Sequence, residues 1–232
     1  MSVYLIILAA SLLFPLIYSF ERQIAFYRKW PSLFPAILIV AIFFIGWDIV
    51  FTAKGIWWFN PANVGKFRLV NLPLEECLFF FVIPYVSVFT YEVFKLLPWL
   101  DLPDKITRWI SLVLFVVFSL VTVFFLDRAY TVYAFGLSAL LLFLFIFVLK
   151  FRYLGRFLIT YLIILVPFTL VNGLLTGTFM EQATVLYNDQ ENLGIRMLTI
   201  PLEDIFYGFS MLLMTVYVYE LFSGRQKPVV KQ

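Results

Sequence analysis

The sequence predicts an all-α, polytopic membrane protein of about seven transmembrane helices, arranged as two parallel repeats (helices 1–3 and 5–7) joined by helix 4. Three observations predict it. Of 232 residues, 63% are apolar and 13% charged, against ~45–50% and ~25% in a soluble domain. The stretches 111–126 and 129–149 carry no charge, and a bilayer core needs ~20 apolar residues per helix. Finally, part of the chain recurs 128 residues downstream.

Apolar periodless runs place the helices at about 3–20, 33–52, 77–97, 107–126, 130–149, 156–176 and 203–222. The first run lacks a basic leader and a small-residue cleavage site, so it reads as a retained helix. Most connections are short and charged. Two are longer, 53–76 and 177–204, and both end in an acidic motif. Without a Gly/Ser linker or low-complexity tail, 1–232 reads as a single membrane domain, with repeats at about 1–97 and 130–223 and a connector helix at 107–126. The lone Cys77 lies in an apolar run and forms no intrachain disulfide.

Orientation follows from the cations. One face carries Arg22, Arg28, Lys29, Lys95, Lys105, Arg108, Lys150, Arg152, Arg156, Arg225, Lys227 and Lys231, and the other carries Lys54, Lys66, Arg68, Arg128 and Arg196. The positive-inside rule then predicts a multi-pass protein of the cell membrane with the C-terminus cytoplasmic and the N-terminus outside. Both acidic motifs fall on the non-cytoplasmic side.

Aligned without gaps, 60–94 matches 188–222 at ten positions: Asn60/Asn188, Arg68/Arg196, Pro73/Pro201, Leu74/Leu202, Glu75/Glu203, Phe81/Phe209, Val88/Val216, Tyr91/Tyr219, Glu92/Glu220 and Phe94/Phe222. Biased composition can produce the Leu, Val and Phe matches, but not Arg, Pro, Glu and Tyr in register. The displacement runs from helix 3 to helix 7, an even number of crossings, so the repeats are parallel and not inverted. Asp48 in helix 2 pairs with Asn172 in helix 6 after a four-residue shift.

The chemistry centres on Glu75–Glu76 and Glu203–Asp204. A proline followed by an acid is an ordinary helix start, worth ~0.3–1 kcal/mol through the helix dipole. Paired acids at the mouth of an apolar helix are also functional candidates, because their desolvation is expensive. Adjacent helical residues point ~100° apart, so one member of each pair faces the bundle. Two inward acids from two repeats would converge on a pseudo-twofold cavity as a general acid and base. Asp48 joins them as a helix acid in need of a partner. The aromatics, 29 Phe, 13 Tyr and 6 Trp, read either as membrane filler with an interfacial belt of Trp57, Trp58, Trp99 and Trp109, or as π-faces lining a dry cavity that stabilises carbocations.

The absence of His excludes His-ligated haem and zinc, His general-base catalysis and Ser-His-Asp triads. No dinucleotide or P-loop motif occurs. No cofactor, metal or nucleic-acid partner is expected.

Seven hydrophobic helices in two parallel halves, each with Pro-Leu-Glu-(Glu/Asp) before an aromatic-rich helix, resemble the membrane-integral lycopene cyclases in their fused two-domain form. The resemblance covers essentially the whole chain. "PLEECLFF" (73–80) matches the family motif closely. "PLEDIFYG" (201–208) is looser, with Tyr207 and Gly208 where the first copy has Phe79 and Phe80, leaving open whether the halves contribute equally. The resemblance implies that the substrate is lycopene or a related linear carotenoid dissolved in the lipid membrane, with other carotenoid biosynthetic enzymes as possible neighbours. It implies a cyclisation to β-rings, giving β-carotene via γ-carotene. A carboxylic acid protonates C2, the C5=C6 bond attacks the C1 cation, and C6 loses a proton, without net redox.

On this reading Glu75 and Glu203, identical in both copies, are the principal acid/base residues. Glu76 and Asp204 support them, and Asn60, Asn188, Arg68 and Arg196 order the motif loops. Which residue protonates and which accepts stays open. A small proton-coupled transporter is the alternative from another class, although Pro84 and Pro167 do not occupy corresponding positions in the two halves. A retinal photoreceptor would need a Lys in helix 7, and 203–222 has none. A cyclase acting on C50 carotenoids is not separable by sequence.

Overall fold

A computed structural model describes residues 2–97 and 101–225. Trp99, Lys227 and Lys231, counted above in the aromatic belt and the charge balance, lie outside the described residues. Among the described residues there are seven α-helices: α1 (Val3–Tyr18), α2 (Trp30–Ala53), α3 (Leu74–Phe94), α4 (Asp104–Phe124), α5 (Ala129–Phe143), α6 (Leu154–Thr176) and α7 (Leu202–Phe222). Six are long and apolar enough to cross a membrane, α2 together with the 3-10 turn Phe26–Lys29 before it and α5 together with the π-type turn Leu144–Val148 after it. The α1 helix has 16 residues, about 24 Å of rise, and is the short member.

Six strands of two or three residues, absent from the sequence reading, form in the long connections. They are β1 (Trp57–Phe59), β2 (Arg68–Leu69), β3 (Leu72–Pro73), β4 (Val185–Tyr187), β5 (Arg196–Met197) and β6 (Ile200–Pro201). β2–β3 and β5–β6 are antiparallel hairpins. β1 and β4 pair with each other, with Trp58 opposite Leu186, two positions that are themselves 128 apart. The neighbouring backbone bonds are reciprocal at the same displacement: Asn60 N–H donates to Thr184 O at 2.9 Å, and Asn188 N–H to Ile56 O at 2.9 Å. A local twofold therefore passes through this two-stranded sheet.

Beneath it, α3 and α7 form the centre. Over half of the α7 span and half of the α3 span are buried, against 17% for α4, which lies at the periphery. α1 packs on α3, α5 packs on α7, and α2 touches both central helices. Inside the spans, hydroxyls bond back to the carbonyl four residues earlier, as Thr90 does to Val86 and Thr169 to Leu165. This satisfies them where no water can.

At the end opposite the hairpins, α3 and α7 are tied by a reciprocal lock. Tyr91 OH donates to Glu220 at 2.9 Å and Tyr219 OH to Glu92 at 2.8 Å. Lys95 bridges both carboxylates, and Arg225 reaches Glu92 at 2.8 Å. The repeated Tyr-Glu pairs thus serve helix pairing. Their C-terminal ends meet, so α3 and α7 run in the same direction.

Candidate active site

Each acidic motif sits at the same structural junction. The β2–β3 hairpin turns through Val70, whose φ of 58° is left-handed, and Leu198 takes the same φ of 58° in β5–β6. The chain then enters its helix through a proline: Pro73 (φ −61°, ψ 147°) before α3 and Pro201 (φ −56°, ψ 141°) before α7. Proline has no N–H to satisfy and does not continue a helix backwards, so each helix begins at the next residue. Glu75 and Glu76 become the second and third residues of α3, and Glu203 and Asp204 those of α7.

The two members of each pair meet different surroundings. The first turns to the loops. Glu75 Oε1 accepts from Gly65 N–H at 2.8 Å and from the Ser2 hydroxyl. Glu203 Oε1 accepts from Leu193 N–H at 2.7 Å and the Thr131 hydroxyl at 2.6 Å. Gly65 and Leu193 are again 128 apart. These carboxylates hold the connecting loops onto the helix starts, and neither lines the cavity described next.

The second member faces a cavity of about 480 Å³, within the ~300–1,000 Å³ range of ligand pockets. Glu76 Oε2 accepts from Tyr4 OH at 2.6 Å. Asp204 accepts three bonds: from Tyr130 OH at 2.5 Å, Asn172 Nδ2 at 2.6 Å and Tyr187 OH at 2.8 Å. Asp48, 2% exposed, lines the same cavity and interacts electrostatically with Glu76. Trp57 lines the cavity beside it, and Asp48 Oδ2 has no hydrogen-bond partner among the described residues. Burial, with the Asp204 carboxylate beside it, holds the Tyr187 phenol well above its usual range, so it remains a donor.

From this polar end the cavity extends along α3 from Glu76 to Thr90, about 21 Å of helix rise. Its wall is apolar, with Phe79, Phe168 and Tyr207 presenting rings. Ile6 of α1 and Leu170 of α6 line it and are also 48% and 61% exposed. The cavity therefore opens sideways between α1 and α6, onto the outer apolar surface.

The structure brings Glu76, Asp204, Asp48 and Asn172 together and leaves the other sequence candidates at the loops. Asn60 caps its own turn by accepting from Ala62 N–H at 3.0 Å and donates to Ala183 O at 3.2 Å. Asn188 accepts from Gln190 N–H at 3.1 Å. Arg196 pairs with Asp189 at 2.5 Å and donates to Thr199 O at 2.7 Å. Arg68 is exposed and acts on Glu75 through space. Trp57, expected in an interfacial belt, is 5% exposed because its ring packs against Phe51, Tyr130, Tyr187 and Tyr207. Trp58 and Trp109 are exposed.

Sequence reasoning missed Tyr4, Tyr130 and Tyr187. Tyr4 and Tyr130 are equivalent: Tyr4 N–H donates to Asn63 O and Tyr130 N–H to Glu191 O, acceptors 128 apart. The tyrosines themselves are 126 apart, and a gapless comparison passes over them. Tyr187 stands where the first copy has Phe59, so no match signals it.

A family model described as lycopene cyclase matches residues 1–94 and 127–222, leaving out α4 and its flanks. No curated protein and no solved structure matches the chain.

Proposed function

Because this chain belongs to the lycopene cyclase family, a multi-pass membrane protein of carotenoid cyclisation, we propose that it closes the linear end groups of lycopene into β-rings by proton transfer from Glu76 and to Asp204. The observation that carries this reading is one apolar cavity whose only strongly polar end holds both second-position acids. Among the described residues Glu76 has a single side-chain hydrogen bond, from Tyr4, which suits a carboxyl group that gives its proton away. Three donors converge on Asp204, which suits a carboxylate that faces a cation and takes a proton.

The Glu76 carboxyl protonates C2 of the end group and leaves a cation at C1. The C5=C6 electron pair attacks C1 and closes the C1–C6 bond, moving the charge to C5. Asp204 then accepts the C6 proton, and the C5=C6 double bond reforms. One proton enters and one leaves, so the reaction is an isomerisation and no electron acceptor is required. The rings of Phe79, Phe168 and Tyr207 offer π-faces to the cation. Asp48 supports Glu76 as a neighbouring carboxyl, and Asn172 orients Asp204. Glu75 and Glu203 act by positioning the motif loops.

The chain forms one domain with the N-terminus outside and the C-terminus cytoplasmic, a reading supported by twelve cations against five. The substrate enters from the bilayer, in which the polyene dissolves. The test supplies unlabelled lycopene to membranes carrying the protein in heavy water, with pigments separated by chromatography and deuterium located by mass and NMR. Conversion to monocyclic and bicyclic β-ring products, with one deuterium at C2 per new ring, is expected. Unchanged lycopene beside well-folded protein, or rings without deuterium, overturns the reading.

A further inference from the structure

The two halves are related by sequence, yet the cavity lies to one side of the local twofold. The reason can be traced residue by residue. Asn71 Nδ2 donates to Ile49 O at 2.9 Å, and Thr199 Oγ1 meets Gly173 O at 3.5 Å. Since 71 and 199 are equivalent, so are 49 and 173, and α2 maps onto α6 at a displacement of 124. Phe44 then answers to Phe168, and Trp47 to Val171. On the central helices the displacement of 128 equates Phe80 with Gly208.

In the half around α2 these positions are filled with rings. Trp47 packs against Phe44 at 5.7 Å, Phe51 at 5.4 Å, Tyr133 at 5.8 Å and Tyr207 at 5.3 Å between centroids. Phe80, 1% exposed, lies 6.3 Å from Phe44. In the half around α6, Val171 and Gly208 leave the corresponding space open, and both line the cavity. A Cβ on Gly208 would meet Phe168 at 3.5 Å and the Tyr161 hydroxyl at 3.6 Å. That is ordinary contact, so alanine fits, while a larger side chain has the cavity as its free space.

We propose that Gly208 and Val171 select the α1–α6 side as the binding lobe for the hydrocarbon, while Phe80 and Trp47 close its pseudo-symmetric counterpart. The acids near the twofold are shared, but among the described residues one lobe leads to them. The enzyme therefore holds one end group at a time, and the two ends of a symmetrical polyene are processed in separate binding events with release between them. This inference rests on the cyclase reading above.

The experiment uses the full chain in lycopene-loaded vesicles, with lycopene in excess over enzyme and all rates referred to folded, inserted protein. Turnover is expected to fall in the order Gly208→Ala, Gly208→Leu, Gly208→Phe, reaching about 10²-fold for Phe, the loss typical of a misplaced reactant. Val171→Trp should act in the same direction. Phe80→Leu, in the closed lobe, should keep wild-type turnover per folded molecule. At early times free monocyclic carotenoid should accumulate ahead of bicyclic product. If Gly208→Phe fails to insert, the ordering of Ala and Leu decides in its place. Cyclisation insensitive to side-chain size at 208, or bicyclic product without free monocyclic intermediate, overturns the lobe assignment alone. A wild-type protein that leaves lycopene unchanged overturns the cyclase reading beneath it.

Discussion

Exchanging each of the four motif acids for its amide separates loop-holding from chemistry. Glu75 and Glu203 each use one oxygen to accept two hydrogen bonds. A glutamine keeps that oxygen, loses the charge, and puts an amide NH2 where the buried Oε2 has no hydrogen-bond partner among the described residues. Bonds to a charged group contribute ~1.5–3 kcal/mol and neutral ones ~0.5–1.5, and an unsatisfied buried donor costs ~1–3 kcal/mol. Glu75→Gln and Glu203→Gln should therefore cost about 2–4 kcal/mol of stability each, with turnover per folded molecule within about tenfold of wild type. At Glu76 the amide has no proton to give, and losing a general acid costs ~10²–10⁴-fold in rate. Asp204→Asn replaces one acceptor oxygen by an amide donor that must face Tyr130, Tyr187 or Asn172. An unsatisfied buried donor costs ~1–3 kcal/mol, in addition to the loss of the proposed proton acceptor. The assay is pigment chromatography from lycopene-accumulating cells, normalised to inserted protein, with detergent-solubilised thermal unfolding alongside. Abolished turnover in folded Glu75→Gln or Glu203→Gln, with near-normal rates in Glu76→Gln or Asp204→Asn, would refute the division of roles.

Three further outcomes can be measured independently. Lys95→Met removes the cation that bridges Glu92 and Glu220, and breaking a buried ion pair costs ~3–5 kcal/mol; a much smaller drop in unfolding free energy would show that Arg225 suffices. Val70→Gly and Leu198→Gly relieve left-handed backbone worth ~1–2 kcal/mol per residue, partly offset by the extra freedom of glycine in the unfolded chain. Each should raise the melting temperature, since both side chains are exposed and little packing is lost. Arg196 hydrogen-bonds Asp189 and holds its carboxyl below the usual range. A carboxyl depressed by folding stabilises above its unfolded pKa of ~4 and loses that contribution as pH falls through the folded value. Hydrogen-exchange protection in 188–197, corrected for the intrinsic pH dependence of amide exchange, should therefore fall on acidification in the wild type, and less so in Asp189→Asn.

Much of the candidate site was legible because identical residues recurred in register. Glu75 and Glu203 stood out through identity, Glu76 and Asp204 through chemical likeness, and Asp48 through the expense of an acid in an apolar helix. Identity favoured the loop-holding pair, since a carboxylate that accepts two fixed donors needs one geometry in both copies. The cavity-facing pair differs, Glu against Asp, because the two sides of the cavity differ. The tyrosines were invisible for another reason. Tyr4 and Tyr187 reach their acids across 72 and 17 residues of chain, and no local pattern marks a phenol as the donor to a distant carboxylate.

The amino-acid sequence by itself determined the membrane class, the number and order of helices, the parallel halves and the junctions where proline starts an acid-led helix. Each follows from local composition, periodicity or repetition. Only the tertiary structure decided which acid of each pair faces the cavity. That choice depends on the rotation of α3 and α7, set by hairpins whose strands are too short to carry a pattern. It also decided that one lobe is open and the other closed. Phe80 against Gly208 is a visible difference in the sequence, but its effect is a volume, and a volume exists only where several helices meet.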